Sequence, residues 1–281
     1  MLRTLDRDLQ RADGSARITV GSREAGNHIV DIVERSPVRV MLPRIGGAAV
    51  KEAVLINTGG GIAGGDRLET SVTATDKSSI VVTTQAAEKV YRALDEPARI
   101  TTKLEVLDFA KLAWLPQETI LFNSARLRRE TTIDFSPGAT LLALEWLVLG
   151  RAAHKEKVVG GEITDGWRVR KEGQLIWADT FRVADPIFCH LPRSALLEKH
   201  IAIGTLVYCG ASSDRCLELF RSIESDMECR CAATTVAGLA IIRFAAVAAR
   251  SLRLALRRFL GRLQHESGPA APFGVPKMWS C

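Results

Sequence analysis

Four carboxylates of this 281-residue chain stand where a carboxylate is costly: Asp66 in GGDRL, Glu88 in AAEKV, Glu118 in LPQETILF and Glu145 in LALEWLV. An unpaired carboxylate inside an apolar strand must be paired, neutral, hydrated or turned toward a metal ion. Glu145, amid LLALEWLVLG, is the sharpest case. An ordinary ion pair with Arg151 or Lys89 would satisfy it. The alternative is an internal hydrophilic path in which these carboxylates act as weak oxygen ligands for a divalent cation. Oxygen ligands hold borderline metals less tightly than thiolates and so suit transfer rather than storage. A third use of the same residues is an Asp66/Glu88 acid-base pair in the polar cleft of a small β-rich enzyme.

Asp66 closes a glycine-rich segment, NTGGGIAGGDRL, with Gly60, Gly64 and Gly65 among its glycines. A phosphate cradle of the Walker type needs Lys-Ser/Thr after its last glycine, and here Asp66-Arg67 follows, which repels phosphate. A dinucleotide loop should open a helix, whereas LETSVTAT reads as a strand. Two readings stay open: a tight strand-to-strand connection that needs glycine's positive φ, or a turn that aims Asp66 into a polar channel. Just downstream, TTQAAEKVYR places Glu88 and Lys89 beside Tyr91 and Arg92.

Other chemistries find little support. The histidines (His28, His154, His190, His200 and His265) form no HxH or HxxxH pair, so no preformed high-affinity metal site is expected. Cys229 and Cys231 would point the same way on a strand and could hold a soft metal ion. Such a site needs two further ligands, and the plain reading is a pair of small thiols. No Gly-x-Ser-x-Gly element occurs.

These residues need a frame, and the chain supplies mostly strands. ARITVGS, NHIVDIVER, VRVMLPRI, AVLIN, LETSVTAT, SSIVVTTQ, ARITTKLEVLD, AKLAWLPQETILF, RRETTIDF, TLLALEWLVLG and IAIGTLVYCG are short β-prone runs between turn signals. WRVRKEGQLIWADTFR reads as a hairpin about Lys171-Glu172-Gly173. Strands at this spacing predict a mainly β fold, an all-β sandwich, a barrel or a stacked sheet, in a single domain over 1–281, with its core at about 16–264 and an extended tail over 265–281. About two helices fall in the C-terminal third. One runs over Ser212–Ser225; the other, Ala245–Leu263, carries Leu252, Leu256, Phe259, Leu260 and Leu263 on one stripe and Arg250, Arg253 and Arg257 on another face.

The formal charge of +6 is modest and local: one cluster is Arg126, Arg128 and Arg129, and the other lies on the late helix. That suits an acidic protein partner; the helix lacks the interleaved aromatics of a nucleic-acid binder. MLRTLDRDLQRADG has no apolar signal core, and no run reaches the ~18 apolar residues of a membrane span. A cytoplasmic protein without membrane or nucleic-acid partners is expected.

Six segments in order, NTGGGIAGGDRL, TTQAAEKVYR, LPQETILF, ALEWLVLGR, DGWRVRKEGQLIWADTFR and PKMW, resemble the urease accessory proteins of the UreD (UreH) family, over about Ala16 to Trp279. The resemblance implies a layered β fold and no catalysis: a urease maturation factor that links apo-urease to a UreF-type accessory protein and a UreG-type GTPase. It implies nickel(II) in transit and no permanent cofactor. On that analogy Asp66, Glu88, Glu118 and Glu145 are metal-path candidates. Gly60, Gly64, Gly65, Lys89, Tyr91, Arg92 and Arg151 belong to the motifs, and Arg250, Arg253, Arg257 and Trp279 are partner-surface candidates. The chain departs from the family at Phe244–Ala249 and at His154–Lys157.

Overall fold

The computed structural model describes residues 10–24, 26–43, 50–269 and 271–280. Its first strands are β1 (Asp13–Arg23), β2 (Gly26–Arg35), β3 (Val38–Met41), β4 (Lys51–Asn57), β5 (Arg67–Ala74) and β6 (Ser79–Thr84). There follow β7 (Glu88–Val90), β8 (Ala98–Val106), β9 (Lys111–Trp114), β10 (Thr119–Leu121), β11 (Arg126–Phe135) and β12 (Thr140–Leu149). The last are β13 (Glu162–Lys171), β14 (Gln174–Ala184), β15 (Ala202–Cys209), β16 (Arg230–Val236) and β17 (Leu239–Ala246), with helices α1 (Ser213–Arg221) and α2 (Ala249–Ser267).

Two stacked sheets result. The first runs β14-β13-β11-β8-β5-β1-β2; the second runs β16-β17-β15-β12-β9-β6-β4-β3, with β10 and β7 added beside β12. The middle of each sheet is parallel. Parallel neighbours need a crossover, and here the crossover is itself a strand of the opposite sheet: β5, β8 and β11 alternate along the chain with β6, β9 and β12. Hairpins close the edges, and the β13–β14 turn takes positive φ at Glu172 (51°) and Gly173 (78°), as a two-residue hairpin requires.

Burial follows from this stacking. β11 alternates, with Leu127, Arg129, Thr131, Ile133 and Phe135 turned inward, because only one face of the first sheet is covered. β12 is buried on both faces and reads as one apolar run. Leu142, Leu144, Trp146 and Val148 meet α1 and α2, whereas Leu141, Ala143, Leu147 and Leu149 face the first sheet. The α2 stripe of Leu252, Leu256, Phe259, Leu260 and Leu263 is fully used on that outer core.

The mainly β, stacked architecture agrees with expectation, and so do two late helices. Several boundaries differ. Arg230–Ala246 is a hairpin, not foreseen as strands, and Ala245 and Ala246 belong to β17, so α2 begins at Ala249. AKLAWLPQETILF is two strands, since Pro116 cannot donate to a ladder. The tail is not wholly extended: α2 runs on to Ser267, and Lys277–Ser280 forms a 3-10 turn. β3 stops at Met41; Arg44 and Ile45 of its expected run lie outside the described residues.

Candidate functional site between the sheets

The space between the sheets is not one apolar core. One cluster contains Leu104, Ile133, Leu141, Ala143, Trp167 and Val207, and another contains Leu127, Leu147 and Ile163 with Ile100 and Ile203 against it. Between them, strand by strand, stand Thr102, Arg129 with Thr131, Glu145, Asp165 and Thr205. Strand registry makes this a layer: Thr102 pairs with Thr70 and Thr131, Arg129 with Asp165, and Glu145 with Thr205.

Glu145, Arg129 and Asp165 are 5, 3 and 8 % exposed. Arg129 donates to Asp165 through Nε (2.8 Å) and Nη2 (2.6 Å), approaches Glu145 Oε2 through Nη1 (2.7 Å), and donates to Thr119 Oγ1 (3.2 Å). Glu145 also accepts from Trp114 Nε1 (2.8 Å) and Thr131 Oγ1 (3.4 Å). Two buried carboxylates thus share one guanidinium. Burial opposes the charge on Arg129, but Asp165 and Glu145 outweigh it and hold the guanidinium protonated. Burial lifts Glu145 above the ordinary carboxylate range; Arg129 pulls it down, and Asp165 pushes it up again.

Two cavities border this cluster. A cavity of about 180 Å³ has Asn57, Thr70, Glu88, Thr102, Arg129 and Glu145 among apolar lining residues such as Leu55, Ile62 and Trp114, with Gly60, Gln85 and Lys89 also on its wall. A second, of about 340 Å³, is lined by Glu145, Asp165, Thr205, Cys231 and Arg243. Glu145 belongs to both. Glu88, on the short β7, accepts from Asn57 Nδ2 (3.0 Å), and burial raises its pKa to about 7.

The other candidates are placed differently. Asp66 is a staple: its carboxylate accepts from the backbone amides of Ala12 (2.8 Å) and Ala63 (2.7 Å), and it lines neither cavity. Asp66 and Glu88 therefore do not form an acid-base pair in one cleft. Glu118 is buried and ion-paired with Arg253, and its backbone carbonyl accepts from the amide of Glu88 (2.8 Å). Glu145 pairs with neither Arg151 nor Lys89. Arg151 instead bonds Glu156 (2.8 Å) and stacks on Phe122 (4.2 Å), and Lys89 is exposed. Tyr91 donates to the carbonyl of Gly60 (2.9 Å), and its ring fills the space a side chain at Gly61 would need: a Cβ there would lie 2.4 Å from it. Gly64 is pressed against Ala93 and the carbonyl of Glu96, and Gly65 turns with positive φ into Asp66. Arg92 makes a bridge to Ala125.

The late-helix candidates divide. Arg250 is exposed, whereas Arg253 and Arg257 fasten α2 to the body, Arg257 through the carbonyl of Trp279 (3.0 Å). Trp279 is not a surface residue. Its indole is covered and donates to Thr83 Oγ1 (3.2 Å) and the Leu115 carbonyl (3.3 Å). Cys229 and Cys231 are half-buried, and burial raises both thiols, Cys229 to about 11, so both are protonated at neutral pH. Among the described residues no group of three or more His, Cys, Asp or Glu side chains is placed to hold a metal ion. No helix is long and apolar enough to cross a membrane.

Arg129 and Asp165 were not foreseen. In the sequence Arg129 belongs to one basic cluster with Arg126 and Arg128, and the alternation of RLRRETTIDF turns it inward with Leu127 and Thr131. The same alternation in EITDGWRVRK turns Asp165 inward with Ile163 and Trp167.

A two-sheet β protein with a polar layer through its interior and a helix pair on one flank is the class these features define. The sequence model of the UreD urease accessory protein family matches residues 12–280, and the chain belongs to that family. It is 38 % identical over 271 residues to the urease accessory protein UreD of Xanthobacter autotrophicus, covering 96 % of this chain and 91 % of that one. It is 37 % identical over 257 residues to the UreD of Methylobacterium sp. strain 4-46 (89 % and 91 %) and 36 % identical over 271 residues to that of Azorhizobium caulinodans (96 % and 97 %).

Proposed function

We propose that this urease accessory protein is a non-catalytic scaffold that passes nickel(II) toward apo-urease through its inter-sheet polar layer. It works in complex with a UreF-type accessory protein and a UreG-type GTPase. The observation that carries the reading is that Glu145 lines both cavities, with Glu88 in one and Asp165 in the other. Two neighbouring cavities of largely apolar lining, with Glu88 in the first, Asp165 in the second and Glu145 in both, offer a hydrated cation a few weak oxygen contacts, and conduction requires each contact to be weak enough to leave. The path residues on this reading are Glu88, Glu145 and Asp165. Glu118 supports the wall through Glu88, and Asp66 shapes the glycine turn. GTP hydrolysis belongs to the partner. The acid-base alternative lacks support because both oxygens of Asp66 are engaged by backbone amides.

The test is urease activity and nickel content after co-expression of the urease genes with the chain intact, deleted, or carrying Glu145→Gln or Glu88→Gln. Nickel-poor urease on deletion, and with a variant that still captures its partners, supports the reading. Fully loaded urease without the chain refutes it.

A further inference from the structure

Beside Glu145, the residue common to both cavities, stands a cation, Arg129. Arg129 lines the first cavity, Asp165 the second and Glu145 both, so the three side chains lie between the two cavities, and an ion passing from one to the other on the proposed path meets them. The grip is uneven. Asp165 holds the guanidinium by two bonds and is its register neighbour on β13, whereas Glu145 reaches it from the opposite sheet by one close contact.

We propose that Arg129 is a tethered resident cation that keeps Glu145 and Asp165 from trapping the ion they pass: a divalent cation takes Glu145 from the guanidinium first, and the guanidinium reclaims it as the ion leaves. This rests on the reading that nickel crosses this layer. Two buried carboxylates converging on one point would otherwise chelate a divalent ion and release it slowly. A competitor fixed to the same scaffold acts at a high effective concentration. It lowers the lifetime of the bound ion, and the two carboxylates about the one guanidinium still leave a net negative charge to draw the ion in. Thr119 accepts a bond from the same guanidinium, which leaves Arg129 a partner while Glu145 is engaged elsewhere. An arginine with a purely structural task would stabilise the pair without altering how long nickel stays.

The experiment measures Ni²⁺ binding and release by the purified full-length chain, and nickel transfer to apo-urease with the partners present. It compares the native protein with Arg129→Met, Arg129→Lys and the double variant Arg129→Met/Asp165→Asn. Arg129→Met is expected to retain nickel roughly tenfold longer, a factor of the size that partners of metal-binding carboxylates govern, and to load urease more slowly while holding more metal. Arg129→Lys, which reaches one carboxylate at a time, shows the same change to a smaller extent, and the double variant loses the retention. A folded Arg129→Met that retains no more nickel than the native chain overturns the proposal. If Arg129→Met does not fold, Arg129→Lys decides, and retention equal to native overturns it. Chain-independent loading of urease overturns the conduit reading itself; equal retention with loading still chain-dependent overturns only the part given to Arg129.

Discussion

Arg253, on the late helix, is ion-paired with Glu118, the residue whose backbone carbonyl receives the amide of Glu88. Its second nitrogen donates to Gln117 Oε1 (3.1 Å), and its guanidinium lies 5.6 Å from the Trp146 ring centroid. Helix and cavity wall are thereby one unit. Arg253→Met leaves the Glu118 carboxylate, 8 % exposed, without its cation. A loss of about 1–3 kcal/mol is expected, below the figure for a fully buried pair because Arg253 is partly solvated. Urea unfolding measures it. Arg250→Glu and Leu254→Asp, on the outward face, should leave stability within about 0.5 kcal/mol of native while weakening partner capture.

Asp66 separates a structural role from a path role. Asp66→Asn keeps the shape but replaces two charge-assisted bonds to the amides of Ala12 and Ala63 with at most one good acceptor. A stability loss of about 1–2 kcal/mol is expected. Because Asp66 lines neither cavity, nickel loading per folded molecule should stay native. A well-folded Asp66→Asn that leaves urease nickel-poor would return this residue to the path.

Glu88 makes stability depend on pH. Its folded pKa, about 7, lies above the ordinary 4.5 because burial disfavours the carboxylate. The folded state therefore holds a proton that the unfolded chain gives up at lower pH. Stability from this group is full below about pH 4.5 and is lost as the pH rises toward 7 and beyond. Glu88→Gln keeps an oxygen for Asn57 and removes the ionisation. It should stabilise the protein by on the order of 1–3 kcal/mol at pH 8 and hardly at all at pH 4.5. Denaturant midpoints at the two pH values check the sign; an equal effect at both would show that Glu88 does not titrate differently on folding.

Much of this was written in period and turn chemistry. The alternation along ARITTKLEVLD and RRETTIDF, and Glu172-Gly173 in its hairpin, placed strands and turns without tertiary information. The Leu252–Leu263 stripe did the same for the helix. What strand patterns do not carry is which strand faces which. Glu145 was legible as a carboxylate in need of a partner, but its partner Arg129 lies on a strand of the other sheet, and neither Arg151 nor Lys89 is that partner. The inward phase of Arg129 was available from Leu127 and Thr131. Its meaning was hidden because a run of three arginines within four residues also reads as solvated charge. The β16–β17 hairpin was missed because alanine and arginine in AATTVAGLAIIRFAA give a weak strand signal that only the edge of an existing sheet completes.

Trp279 ties the end of the chain to the cavity wall. Its ring lies 6.3 Å from that of Trp146, and its indole donates to Thr83 and to the carbonyl of Leu115, one residue before Pro116 and Gln117 of the first cavity. Trp279→Ala removes a large buried ring together with its donor, while Thr83 still donates to the Leu115 carbonyl (2.6 Å), for a loss of about 3–5 kcal/mol. Trp279→Phe keeps most of the volume and loses the donor, for about 1 kcal/mol. Amide hydrogen exchange distinguishes a local from a global effect. If the tail braces the wall, Trp279→Phe speeds exchange at Gln117 and Glu118 before it speeds exchange in β12, and it slows nickel transfer in proportion. Uniform faster exchange across both would show that Trp279 serves the outer core alone.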